Sequence, residues 1–193
     1  MGVLTQQEKQ LEKYHEFQSQ IIHEEKISKI YQIFVGHSIN KSIFRVKGKG
    51  LVAFSEAIGD LSPKYVAVGK KEDGKLDFSM IKAHPCFPNC FAIPAAFDVT
   101  GWKFPPKEGE VEGKLLIPNP SKILHTGQTF DYTNAEIPIK EKQKLYTTGY
   151  CEEIYVKNNK LWLNIHLETR TKNGLLVIQS KVQFVVREGG FAQ

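Results

Sequence analysis

Residues 122–188 constrain the fold more than any other part of the chain. Four runs, KILHTGQTFDYTNAEI, KLYTTGYCEEIYVKN, KLWLNIHLETRTKN and LLVIQSKVQFVVRE, are rich in β-branched and aromatic residues, which fit a pleated, half-buried surface. Asn158-Asn159 and Asn173-Gly174 separate the last three runs. Asn-Gly between alternating apolar residues is the strongest short-range hairpin signal, because both residues tolerate positive φ. In the third run Leu161, Leu163, Ile165 and Leu167 alternate with Trp162, Asn164, His166 and Glu168, so one face of that strand is apolar and the other mixed. The pattern predicts an antiparallel sheet whose apolar face is covered by a helix.

The preceding residues supply the helices. Between residues 5 and 34, Leu11, Tyr14, Phe17, Ile21, Ile22, Ile27, Ile30, Tyr31 and Phe34 recur mostly at spacings of three and four. This predicts a long or broken amphipathic helix, with Thr5 as its N-cap and its stripe packed on the domain or on a partner. After a turn at 36–40, residues 42–46 alternate like a short strand, and 50–58 fit a short helix. Residues 67–80 are polar and read as a surface loop. The apolar stretch 83–102 is interrupted by Pro85, Pro88 and Pro94, which forbids one long helix and permits a short one from about Pro94 onward. Residues 103–120 read as a loop. The order predicts one α+β domain over 35–193, a sheet wrapped around a helix, with a helical extension over 1–34.

Charge and cysteine usage exclude several classes. Lys and Arg outnumber Asp and Glu by 26 to 21, but the lysines are scattered, with no RNP-like aromatic signature and no basic helix-turn-helix, so nucleic acid is not expected as a partner. Three cysteines, Cys86, Cys90 and Cys151, are an odd number that argues for reduced thiols inside a cell. The start, MGVLTQQEKQLEKYHE, turns polar after four residues and offers neither a signal-peptide core nor a membrane span, so a soluble cytoplasmic protein is expected. Gln6 stands where a myristoylation motif following Met1-Gly2 wants Ser or Thr. His84, Cys86, Cys90 and His125 resemble a zinc set only loosely: Cys-x-x-x-Cys across Pro88 is not the two-residue knuckle, and no second pair follows. Ser55, Ser62 and Ser79 lack a nucleophile elbow, and no glycine loop could cradle phosphate. Neither metal nor cofactor is expected.

FSEAIGDLSPKY, KILHTGQTFDYTNAEIPIKEKQKL and SKVQFVVREGGF together resemble, in order and spacing, the amino-terminal half of MaoC-like dehydratases, including the hydratase part of peroxisomal multifunctional enzymes. The resemblance covers residues 35–191 and implies the hot-dog fold, a curved antiparallel sheet around one helix. Catalytic members add water to, or remove it from, an acyl thioester with a loop of the form Gly-Asp-x-Asn-Pro-x-His. A carboxylate and an imidazole there divide the acid and base tasks, while N–H donors hold the carbonyl. Gly59, Asp60 and Pro63 match this loop, Ser62 replaces its Asn, and Tyr65 stands in place of its His. A tyrosine titrates near 10, about three units too high for an efficient base at neutral pH.

Asp60 therefore has three readings: a turn cap, an acid/base group working with Tyr65 or a histidine from elsewhere, or part of a loop lining a partner's site. The resemblance further implies an acyl tunnel lined by Phe87, Phe91, Phe97 and Trp102, with Lys64 and Lys70 meeting coenzyme A phosphates. The plain alternatives are core aromatics and solubilising charge. His125 reads first as a buried imidazole making a structural hydrogen bond, and second as a ligand contact. In such families the degenerate half shapes the acyl pocket and a second half supplies Asp and His. The resemblance thus implies a non-catalytic, acyl-binding hot-dog subunit of an R-specific 2-enoyl-CoA hydratase or 3-hydroxyacyl-thioester dehydratase. It would use a coenzyme A or carrier-protein thioester and pair, as a homodimer or heterodimer, with a catalytic hot-dog. The alternatives are a non-enzymatic acyl-CoA-binding or scaffold module docking through its amino-terminal helix, and a self-sufficient homodimeric dehydratase or thioesterase.

Overall fold

The computed structural model describes residues 6–192; the expected N-cap, Thr5, lies outside them. Helix α1 (Gln6–Tyr31) ends in a 3-10 turn, Gln32–Phe34. Its carboxyl-terminal part packs on the sheet: Ser28 Oγ receives the Val156 N–H (2.9 Å), and Glu24 Oε1 receives the Asn159 N–H (3.0 Å). Tyr31 and Phe34, 1% and 2% exposed, enter the core, whereas Leu11, Tyr14 and Phe17 remain exposed.

Strand β1 (Ser42–Arg45) and helices α2 (Gly48–Ala57) and α3 (Pro63–Val66) follow. The polar segment expected as a loop carries a small hairpin, β2 (Gly69–Lys70) and β3 (Leu76–Asp77). Helix α4 (Asn89–Ala96) starts earlier than the prolines suggested, directly after Pro88, with Pro94 inside it. An interior proline removes one intrahelical bond, a modest loss in so short a helix, and the buried Ala92, Ala95 and Ala96 let α4 lie close against the sheet. The chain then passes through a 3-10 turn, Phe97–Gly101, and the irregular stretch 103–119, anchored by fully buried Leu116 and Ile117.

Strands β4 (Ile123–Asp131), β5 (Lys144–Lys157), β6 (Lys160–Thr171) and β7 (Leu176–Val186) complete an antiparallel sheet of order β1-β5-β6-β7-β4. Both expected hairpins form. Asn158 and Asn159 have φ of 53° and 54°, the left-handed pair that a two-residue turn needs, and Gly174 has φ 84°. Bulges at Cys151/Glu153 in β5 and His125/Gly127 in β4 interrupt the register, and such bulges bend strands and increase local twist. The alternation in β6 is realised: Leu161, Leu163, Ile165 and Leu167 are fully buried while Trp162, Asn164, His166 and Glu168 are only part-buried. Helix α4 packs across β1, β5, β6 and β7, covering that apolar face. Among the described residues no helix is long and apolar enough to cross a membrane.

Candidate functional site

The loop after α2 is built by a helix stop. Gly59, at φ 80°, takes the left-handed conformation; its N–H bonds the Glu56 carbonyl (3.1 Å) and that of Asp60 reaches back to Ser55 (3.0 Å). This is the glycine-terminated motif that satisfies the last carbonyls of a helix. Asp60 then turns its carboxylate onto its own loop: Oδ1 accepts from the Ser62 N–H (3.0 Å) and from the Ser62 hydroxyl (2.5 Å). Pro63 opens α3, where its fixed φ and missing N–H cost nothing. The turn-cap reading of Asp60 is thus realised in the structure.

The second oxygen of Asp60 faces a residue from another segment. His84 Nε2 lies 3.5 Å from Oδ2, and the two side chains are 16% and 34% exposed respectively. His84 Nδ1 accepts the Cys86 N–H (3.1 Å), which puts the proton of the neutral ring on Nε2, pointing at the carboxylate. Tyr65, 7% exposed, lies edge-on to His84 with ring centroids 5.1 Å apart, and Phe54 lies 6.0 Å away. The Lys82 N–H bonds the Lys64 carbonyl (2.9 Å), holding the two segments together. The Asp60 carboxyl is held below its usual value by the Ser62 hydroxyl, then by the Ser62 N–H, with His84 and Lys64 adding smaller electrostatic contributions.

The backbone that follows His84, residues 85–89, offers no free N–H. Pro85 and Pro88 have no N–H. Cys86 donates to His84 Nδ1, Phe87 to the His84 carbonyl (2.8 Å) and Asn89 to the Cys86 carbonyl (3.1 Å). From 85 to 89 no N–H is left to hold a developing oxyanion.

The other candidates from the sequence are dispersed. Phe87 and Phe91, each 2% exposed, are part of the core beside Phe44. Phe97 is 38% exposed and packs on Phe184, with centroids 4.9 Å apart. Trp102 is stacked on Phe34, its Nε1 buried without a partner. Lys64 Nζ sits 4.6 Å from the centre of the Tyr65 ring, and Lys70 is exposed on β2. His125 is exposed on β4 with its ring near Phe184, so the buried imidazole expected there is not found. Among the described residues no three His, Cys, Asp or Glu side chains come together in a way that could hold a metal ion.

A cleft of about 780 Å³ shares the segment 79–85 with His84, but neither His84, Asp60 nor Tyr65 lines it. Its walls are Ser79, Met80, Ile81, Lys82, Ala83 and Pro85 on one side and Tyr132 with residues 135–140 on the other. In the sequence His84 stands out only as a loose metal-ligand candidate. The available signal was a loop lacking its histidine and a histidine ahead of the proline-flanked helix, but contact between them depends on the fold.

The chain matches the family model of the FAS1-like dehydratase domain region over residues 33–179, most of its length. No curated protein gives a significant match. Among solved structures, the chain is similar to the C-terminally truncated HadBC (3R-hydroxyacyl-ACP dehydratase) complex of Mycobacterium tuberculosis. The identity is 13%, coverage is 79% of this chain and 96% of that one, and the TM-score is 0.55. A MaoC-like dehydratase from Rhodospirillum rubrum gives 14% identity, 80% and 92% coverage and a TM-score of 0.51. R-hydratase PhaJ1 of Pseudomonas aeruginosa gives 16% identity, 80% and 82% coverage and a TM-score of 0.50. At such identities the likeness establishes the fold, and the α+β sheet closed over α4 is a hot-dog.

Proposed function

The chain belongs to the family of the FAS1-like dehydratase domain region, and from that premise we propose that it is the acyl-binding, non-catalytic hot-dog subunit of an R-specific enoyl-thioester hydratase or 3-hydroxyacyl-thioester dehydratase. A second hot-dog with a complete Asp and His loop would supply the acid and base, and the substrate would be a coenzyme A or carrier-protein thioester. The segment 1–34 would be an extension added to a domain spanning 35–193. HadBC, a similar fold, is described as a complex, which supports assembly from paired hot-dogs.

One observation carries this reading: Asp60 Oδ1 accepts both the N–H and the hydroxyl of Ser62, which hold the carboxylate in its ionised form. A carboxylate stabilised in its ionised form is a weakened proton acceptor. The test is hydration of crotonyl-CoA, followed by loss of the conjugated thioester's absorbance. This chain alone should be inactive. Co-produced with a hot-dog carrying Gly-Asp-x-Asn-Pro-x-His, it should form an active pair whose rate is unchanged by Asp60→Asn in this chain. Turnover by this chain alone, abolished by Asp60→Asn, would overturn the reading.

A second reading has its own support. The Asp60–His84 pair, 3.5 Å apart, juxtaposes a carboxylate and an imidazole in one chain, as a self-sufficient homodimeric enzyme requires. Under that reading His84→Asn and Asp60→Asn each abolish turnover by the chain alone.

A further inference from the structure

We infer that the basic surface running from β1 into the start of α2 and the loop before β5 docks on an anionic lipid surface. Residues 41–49 and 140–144 hold seven of the chain's 26 basic residues and one of its 21 acids. That is a net +6 against +5 for the whole chain, so the remaining 19 bases and 20 acids leave the rest at −1. The fold gathers these two segments. Arg45 lies across from Lys144 in the sheet, the Val46 N–H bonds the Gln143 carbonyl (2.9 Å), and the Lys142 N–H bonds that of Val46 (2.8 Å). Lys41 and Lys144 both hold their ammonium groups over the Tyr146 ring, 5.9 and 5.2 Å from its centre. Along 41–49 exposure alternates: Lys41, Ile43, Arg45, Lys47 and Lys49 are exposed, while Val46 and Gly48 are buried.

Folding alone does not account for this placement. Lysines guard sheet edges against strand pairing, and β1 is an edge strand, but that role does not extend to α2 or to 140–144. Lys47 stands at the N-cap of α2 without a side-chain cap, and Lys49 lies in a first turn that holds no acid. Cations there oppose the helix dipole. Among the described residues only Lys142 of the seven bases makes an ion pair, with Glu141 (3.7 Å). Three more carboxylates border the surface: Asp77 accepts the Ser79 N–H (3.0 Å), Glu136 the Leu176 N–H (2.6 Å), and Asp98 the Asn40 N–H and amide (2.9 Å each). They keep their charge, and with Lys82 of the cleft included the balance is eight bases to four acids.

The make-up of the surface narrows the partner. Six of the seven bases are lysines, whereas protein interfaces favour arginine and are poor in lysine. Exposed apolar side chains stand among them: Ile43, 52% exposed, between Lys41 and Arg45, and Met80, 83% exposed, in the cleft wall with Lys140. A nucleic-acid backbone has nothing to bury them, but the boundary of headgroups and acyl chains does. Anionic headgroups attract clustered lysines through their summed charge. Attachment is peripheral, since no described helix could span a membrane.

Co-sedimentation of the purified chain with vesicles of phosphatidylcholine, alone or with about one third phosphatidylglycerol, tests the surface. Binding should be at least about tenfold tighter to the anionic vesicles and should fall as salt screens the charges. Lys47→Glu with Lys49→Glu should weaken it at least about tenfold, while the melting temperature holds or rises, because carboxylates suit the positive end of α2. Lys107→Glu with Lys114→Glu changes the net charge equally, at exposed positions in the irregular stretch 103–119, and should leave most of the binding intact. Equal binding to both kinds of vesicle, no binding, or equal loss in the two double variants overturns the proposal. Without vesicle binding, capture of duplex DNA at the same salt would give the surface to nucleic acid, and capture of poly-L-glutamate would give it to an acidic protein. No thioester enters the measurement, so its outcome and that of the hydration test stand apart.

Discussion

His84 Nε2 faces Asp60 Oδ2 at 3.5 Å, joining the loop that ends α2 to the turn that begins α4. The imidazole is oriented from behind by the Cys86 N–H and flanked by the edge of Tyr65. An imidazole from a neighbouring segment thus stands beside the loop in which Tyr65 holds the motif's histidine position.

The Asp60 carboxyl lies below its ordinary value, first because of the Ser62 hydroxyl and then because of the Ser62 N–H. A depressed folded-state value means that the ionised group stabilises the native loop. That contribution is present above the unfolded value of about 3.9 and is lost as pH falls through the folded value. Asp60→Asn should therefore melt below the wild type at neutral pH, with the gap closing at acid pH, as thermal scans across a pH series would record. A gap independent of pH would mean that charge does not hold the loop.

Tyr65→His places an imidazole at the motif position. It should not create crotonyl-CoA hydration in the isolated chain, because no N–H between 85 and 89 is available to the substrate carbonyl. Measurable turnover by this single variant would show that the missing histidine was the whole deficit.

Phe91 is 2% exposed between Phe44 and Phe87, so Phe91→Ala should cost about 3–5 kcal/mol in urea unfolding, the range for a truncated core aromatic. Phe97→Ala, at a residue 38% exposed, should cost clearly less. Equal small costs would favour a ligand-lining role for Phe91 over a core one.

Thr147 and Thr169 share a buried hydroxyl pair at 2.9 Å on adjacent strands. Thr147→Val should cost about 1–3 kcal/mol, since it strands the Thr169 hydroxyl away from water. The double Val variant should cost less than the sum of the singles in a double-mutant cycle.

The three thiols should separate by reactivity, because the thiolate is the attacking species. Cys86 is exposed, Cys90 part-buried, and Cys151 fully buried with its thiol pushed up to about 12 by burial. Ellman's reagent should modify Cys86 first and Cys151 only in denaturant. Rapid native labelling of Cys151 would contradict its place in the core.

The strands of this protein were legible because they obey local rules. Period-two alternation in 161–168 and the asparagine turns depend on neighbours one or two residues away, and the left-handed pair Asn158-Asn159 formed as expected. Gly59 and Asp60 were likewise readable as a turn, since a helix stop and a side-chain cap need only the next few residues. The start of α4 was misplaced, because proline spacing restricts a helix without saying which proline precedes it and which lies inside.

The sequence by itself determined the sheet, its hairpins and the motif loop that lacks its histidine. Only the tertiary structure decided that Phe87 and Phe91 belong to the core, that His84 meets Asp60, and that 79–85 and 132–140 enclose an aliphatic cleft. The physical reason is the range of the interactions. Alternation, caps and turns are settled by adjacent residues, whereas ring contacts, the Asp60–His84 contact and cavities are made between segments that the curved sheet and its covering helix bring together.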